Sequence, residues 1–268
     1  MRSVMRWVLV AAGVLGLVAA VACYRQEAWA LALWPWPIKR LSAIFLSSIF
    51  VAAAVPVIWI GLSGELRAMA GGALDFAIMY TGMAAFTLGL HRHDPSRLEM
   101  RCFGLIATAL AILCLALFLW SRNLPFREPR PIPWPVRISF GLFAVILVLV
   151  GGALVMQAPN IFTWKLDGEL SAMIGWIFLG AACYFLYGLG EMNWGAVVGQ
   201  LLGFLAYDLV LIGPYIDHFR TVDDNLRINL IIYTVILIYS GLLALWYLFV
   251  DPATRLIGAT RAPDGGGC

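Results

Sequence analysis

Two carboxylic acids, Asp75 and Asp208, stand inside runs of the chain that are otherwise long and apolar. Counting 1.5 Å per helical residue puts each of them ~9–10 Å inside the end of its run. An ionisable group at that depth costs ~2.5–3.5 kcal/mol on insertion scales, so it is expected to be paired or to be used. No basic residue lies deep in any of these runs to serve as the partner. Tyr207 adjoins Asp208, and Gln200 lies two helical turns before the tyrosine on the same stripe. Such a set can take up and release a proton, or hold a cation or small polar solute. Asp75, Asp208, Tyr207 and Gln200 are therefore the candidate substrate or proton pathway. The competing reading is a neutral Asp bonded to a neighbouring hydroxyl or carbonyl, holding helices in register.

Other chemistry has less support. His91, His93 and His218 fall after the third and seventh apolar runs, which places them on one face together with Asp94, Asp217, Asp223 and Asp224. A mixed histidine and carboxylate metal site is chemically open to them, but Arg92 sets a cation between two of the ligands and solvated loop residues are the simpler reading. Haem ligation would want histidines inside the runs, and there are none. The five cysteines, Cys23, Cys102, Cys114, Cys183 and Cys268, form no C-x-x-C pair. There is no phosphate-binding Gly-rich loop, nucleophile elbow or H-E-x-x-H helix, and Asp223-Asp224 lacks a second acidic motif. No catalytic residue and no cofactor are expected.

The elements that must position these groups are membrane helices. The chain is 62% hydrophobic and only 12% charged, where soluble domains carry about 25% charged residues. Eight windows reach the roughly 20 apolar residues that cross ~30 Å of hydrocarbon: 6–23, 41–62, 68–90, 102–120, 138–160, 170–190, 195–214 and 228–250. None alternates as a barrel strand does, and a chain in lipid must satisfy its backbone within the segment, so the windows predict helices. Trp29, Trp34, Trp36, Trp120, Trp134, Trp164 and Trp194 cluster near their ends, as interfacial anchors would. Basic residues divide nine to nine between the two faces. Only the basic N-terminus and the Arg-rich loop 121–137 break the tie, toward an inside N-terminus. Residues 1–6, 7–19 and Ala20-Val21-Ala22 also fit a cleavable signal peptide; the expectation is a retained first helix.

The chain repeats itself. Gly64-Glu65-Leu66-Arg67-Ala68-Met69-Ala70-Gly71 returns as Gly168-Glu169-Leu170-Ser171-Ala172-Met173-Ile174-Gly175, identical at six of eight positions. Trp36-Pro37-Ile38-Lys39 returns as Trp134-Pro135-Val136-Arg137, and Pro56 answers Pro159. Each copy holds three windows, an odd number, so the second must enter the membrane from the opposite side. That is the inverted-topology arrangement of many secondary transporters. Residues 122–133, with four prolines, read as the exposed linker. Ser63 and Asp167 are the expected N-caps of the helices that follow, with Glu65 and Glu169 in the first helical turn, where the dipole favours an anion. Gly195, Gly199 and Gly203 form a small-residue ladder for close helix approach; Ala68, Gly71, Gly72, Asp75 and Gly82 form another, which turns Asp75 toward protein. Pro56, Gly71-Gly72 and Gly151-Gly152 hint at helix breaks.

Trp164, Leu170, Ala172 and Gly175, followed by Glu191-Met192-Asn193-Trp194, resemble a group of uncharacterised bacterial multi-spanning membrane proteins over residues 34–215. The resemblance implies a bacterial integral membrane protein with an internal repeat and no assigned activity. The expectation is therefore an all-α integral membrane protein of about eight transmembrane helices in two inverted three-helix repeats. One membrane domain, 1–268, is divided into a first helix (6–23), repeat one (34–121), linker (122–133), repeat two (134–216), last helix (228–250) and tail (251–268). It belongs in the cell inner membrane, multi-pass, with the lipid bilayer, a membrane-protein partner or a second copy as partners and no nucleic acid. Its function is either small-solute or ion transport at the repeat interface, or that of a non-catalytic scaffold or subunit of a larger membrane complex.

Overall fold

A computed structural model describes residues 2–256; the rest of the expected tail, with Arg261 and Cys268, lies outside the described residues. Among those residues the fold is all helical, with no strand. In chain order the helices are α1 (Arg2–Tyr24), α2 (Ala28–Leu31), α3 (Arg40–Ser63), α4 (Met69–His93), α5 (Leu98–Ser121), α6 (Trp134–Val155), α7 (Gly168–Glu191), α8 (Trp194–His218) and α9 (Arg227–Leu245). Eight of them, all but the four-residue α2, are long and apolar enough to cross a membrane. A 3-10 turn, Leu66–Ala68, leads into α4, and a π-helical turn, Trp246–Val250, ends α9.

Local sequence explains the ends. Gly64 takes the left-handed conformation, φ 75°, that an L side chain resists, and its N–H bonds to Ile60 O at the close of α3. Pro135 fits the first turn of α6, where no N–H is needed. Helix α6 stops at Val155, short of the expected 160, because Gln157 and Asn160 are left-handed on either side of Pro159. The expected breaks are absent: α3, α4 and α6 run unbroken through Pro56, Gly71-Gly72 and Gly151-Gly152. Pro56 leaves the Ala52 carbonyl without its helical donor. Gly203 of α8 packs there so closely that a Cβ would lie 2.9 Å from that oxygen.

Helices adjacent in sequence pack as hairpins: α1 on α3, α4 on α5, α6 on α7 and α8 on α9. Two further interfaces, α3 with α8 and α4 with α7, join the hairpins. The three helices of the first copy therefore pack differently from those of the second, since α3 barely meets α4 whereas α6 lies along α7. Helix α1 is built into the bundle: Gly13 and Gly16 lie on α3 at Ile58 and Ala54, Ser47 donates to Ala20 O at 2.8 Å, and Ala20, Ala22 and Cys23 are buried. Outward faces are apolar, as with Leu105, Ile106, Ile112 and Leu113 on α5.

Helices α4 and α7 run antiparallel. Arg67, before α4, pairs with Glu191 at the end of α7, and Arg97, after α4, pairs with Glu169 at the start of α7. Loops 63–67 and 161–169 therefore lie at opposite ends of the bundle. Single cysteines at the exposed Ser63 and Lys165, in a background without other cysteines, should be labelled from opposite sides of uniformly oriented membranes by an impermeant thiol reagent. Labelling of both from one side would contradict this topology.

Candidate functional site

The polar groups inside the bundle gather along α8, toward α7 of the same copy and toward α9, the last helix, which belongs to neither copy. Along α8, Gln200, Tyr207, Asp208 and Tyr215 follow at helical spacing on one side. Gln200 is buried and donates through Nε2 to Tyr184 O of α7 at 2.6 Å, while its Oε1 has no donor. Asp208 is buried; Ser240 of α9 donates to its Oδ2 at 2.9 Å, while Oδ1 has no donor. The Tyr207 hydroxyl is hydrogen-bonded to that of Tyr233 on α9. The Tyr207 ring packs edge-on to Phe45 of α3, and Tyr215 lies 5.3 Å from Tyr233 between ring centroids.

Asp75 occupies the other interface. Its carboxyl lies against Gly180 of α7, where any side chain would collide with it, so the glycine stripe does turn it toward protein. Asp75 and Asp208 do not touch, the first packing on α7 and the second on α9. Tyr184 links the surroundings of Asp75 to those of Gln200: it is near Asp75, its ring covers Gly71 of α4, its carbonyl accepts from Gln200, and its hydroxyl reaches Gly199 of α8. Tyr184, Tyr233 and Ser240 are thus members of the site that sequence reasoning missed. Their only signal was a hydroxyl within an apolar run.

Glu169 lies in the first turn of α7 as expected, whereas Glu65 precedes a 3-10 turn and stands outside α4. Asp167 occupies the position before α7 but makes no side-chain cap. Glu169 instead accepts from Arg97 Nη1 and Nη2 at 2.7 and 2.8 Å and from Trp36 Nε1 at 2.6 Å. Glu65 precedes a 3-10 turn and accepts the backbone N–H groups of Arg127, at 2.9 and 3.1 Å, and Glu128, at 3.0 Å. Each glutamate therefore holds a segment distant in sequence. The linker is docked as a result: Trp194 N–H bonds to Arg130 O at 2.6 Å and Gly195 N–H to Glu128 O at 3.0 Å. Three of the expected interfacial tryptophans are likewise buried. Trp36 serves Glu169, Trp164 donates to Ser42 at 3.0 Å, and Trp194 is fully enclosed.

The histidines are occupied separately. His91 Nδ1 lies 3.3 Å from Arg97 O, and His218 meets Thr163 O and Thr221 Oγ1. Asp94 is spent on its own turn, where the Ser96 hydroxyl and amide hold its carboxyl below the usual range. Among the described residues no three His, Cys, Asp or Glu side chains come together as a metal centre. Comparison with protein-family models, curated proteins and solved structures finds no match.

Two consequences can be measured in detergent. Glu169→Gln should lower stability by about 1–2 kcal/mol, toward the low side for bonds to charged groups because Arg97 and Glu169 side chains are 29% and 31% exposed. Asp94→Asn, on an exposed turn, should change little; equal melting of the two variants would remove the tie from the account. For Glu65, burial pushes the carboxyl above the usual range, outweighing the two backbone amides. The folded state then holds this proton more tightly than the unfolded chain, so its contribution declines as pH rises through the raised value. Wild type should lose stability relative to Glu65→Gln over that rise. A pH-independent difference would contradict it.

Proposed function

We propose that this protein is an ion- or small-solute-translocating membrane protein whose path runs between the two copies of an inverted repeat. The path is lined by Asp75, Tyr184, Gln200, Tyr207, Tyr233 and Asp208. The observation that carries the reading is the pair of buried acceptors on α8, Gln200 Oε1 and Asp208 Oδ1, that no protein donor reaches. An unmatched buried acceptor costs about 1–3 kcal/mol, and such an acceptor inside an apolar span is satisfied by a proton, a water or a passing cation. Tyr207 and Tyr233 extend the polar line with hydroxyls that both donate and accept. The antiparallel set of α4 against α7 supports the opposed orientation of the copies. Unbroken helices favour a narrow path for protons or small ions over a large alternating cavity.

The test is proton entry into liposomes carrying the protein and a trapped pH dye, driven by an imposed membrane potential. Wild type should acidify the lumen. Asp208→Asn and Asp75→Asn should keep the wild-type melting temperature and lose at least tenfold in rate, because Asn retains size and hydrogen bonding but not the titrating carboxyl. Asp208→Leu should in addition lose about 1 kcal/mol of stability, since the hydrogen bond across to α9 is lost while the Ser240 hydroxyl keeps only its own helix's carbonyl. No flux in wild type, or undiminished flux in Asp208→Asn, would overturn the reading and leave a packing device suited to a scaffold.

A further inference from the structure

At the bundle end that carries the start of α1 and the close of α3 there is a cavity of about 360 Å³ lined by Ser3, Arg6, Gly64, Leu66, Leu124, Pro125 and Arg127. Both arginines are fixed by the helix end rather than by acids. Arg6 donates to Gly61 O at 2.9 Å through Nε and to Leu62 O at 2.6 Å through Nη2, and Arg127 donates to Ser63 O at 2.7 Å through Nη1. Among the described residues, Nη1 of Arg6 and Nε and Nη2 of Arg127 have no acceptor. The carboxylates of this end are committed elsewhere: Glu65 to the amides of 127 and 128, Glu128 to Arg130, Glu191 to Arg67, and Asp251 to Thr254 and the Ala253 amide. Two guanidinium charges thus face one hollow and, among the described residues, neither forms an ion pair, the Glu65 carboxylate nearby being turned to the amides of 127 and 128.

We infer that this hollow binds the phosphate of an anionic membrane lipid. Guanidinium groups already oriented by carbonyls present free N–H donors in the planar geometry that suits phosphate oxygens. Ser3 adds a hydroxyl. The remaining lining, Leu66, Leu124 and Pro125, is apolar, as the glycerol side of a lipid requires. Beside Arg6, α1 turns Val4, Trp7 and Val8 outward, each more than half exposed, giving acyl chains an apolar surface where the span ends. A smaller hollow of about 90 Å³ shares Ser3 and Arg6 and continues between α1 and α3 past Val10 and Gly61. A free phosphate would use the arginines but not this apolar continuation.

The test compares melting of the full-length protein in a neutral detergent with added phosphatidylglycerol, phosphatidylcholine of the same chains, or inorganic phosphate, and counts lipid retained on the protein by native mass spectrometry. Phosphatidylglycerol should raise the wild-type melting temperature by several degrees more than phosphatidylcholine and be retained at one per chain. The double variant Arg6→Gln/Arg127→Gln starts lower because it also frees the end of α3, so the readout is the lipid-dependent gain, which should vanish. Arg6→Lys/Arg127→Lys guards against loss of fold and should keep about half of the gain, while Arg92→Gln, at the other end, should keep all of it. Equal gains from the two lipids, or a gain undiminished in the Gln variant, would overturn the inference. A gain from inorganic phosphate equal to that from phosphatidylglycerol would overturn the lipid assignment in favour of a soluble phosphate compound.

Discussion

The antiparallel contact of α4 with α7 is the constraint on which the other helices depend. Between helices in lipid there is little hydrophobic drive, because acyl chains are as apolar as leucine, so close packing and polar ties must supply the attraction. Here the packing is reciprocal. Trp176 of α7 fills the space left by Gly82 of α4, Tyr184 covers Gly71, and Asp75 of α4 lies in the space left by Gly180. The two ends are closed by Arg67 with Glu191 and Arg97 with Glu169, so register is set over the full length of both spans. Helix α5 then needs only the outer side of α4, and α6 the outer side of α7, which is why α5 is mostly exposed.

The second cross-pair, α3 with α8, has a different chemistry. Pro56 removes a donor inside α3, and α8 approaches through Gly199 and Gly203 onto that stretch. A backbone carbonyl in the middle of an apolar span is thereby covered by helix rather than lipid. Beside that stretch the same α8 carries Gln200 toward α7 and Asp208 toward α9, with Tyr207 bonded to Tyr233 of α9 and packed on Phe45 of α3. The smooth face and the polar face of α8 are set by one stretch of sequence, and the candidate path follows from where the smooth face docks.

The eight helices long and apolar enough to cross a membrane were legible because the length and apolarity of their runs mark them in the sequence. The inward turn of Asp75 was legible too, because small residues on its stripe mark the side another helix approaches. The first-turn place of Glu169 was legible, but the caps expected of Ser63 and Asp167 and the first-turn place of Glu65 were not met, because those expectations rest on local rules alone. The partners of the two glutamates, Arg97, Trp36 and the amides of 127 and 128, come from distant sequence and leave no local trace. The same holds for Trp36, Trp164 and Trp194, whose ring type suits an interface equally well. Ser240 was missed because a serine hydroxyl in an apolar helix usually bonds its own backbone, as it also does to Ile236 O, and Tyr184 and Tyr233 because a tyrosine in an apolar run reads equally well as packing.

The pairing order bears on how the chain is made. Four hairpins of sequential helices can each close as soon as their second helix leaves the ribosome. Neither cross-pair can: α4 waits for α7, and α3 waits for α8. During that interval Asp75 has no Gly180 beside it and the Ala52 carbonyl has no Gly203 over it, so the first half of the chain stands with its most polar helix surfaces unmatched. Loop closure over so many residues is slow relative to a hairpin. The early half is therefore the natural client of whatever insertion machinery shields polar helix faces, and a chain truncated before α7 would be cleared rather than stored.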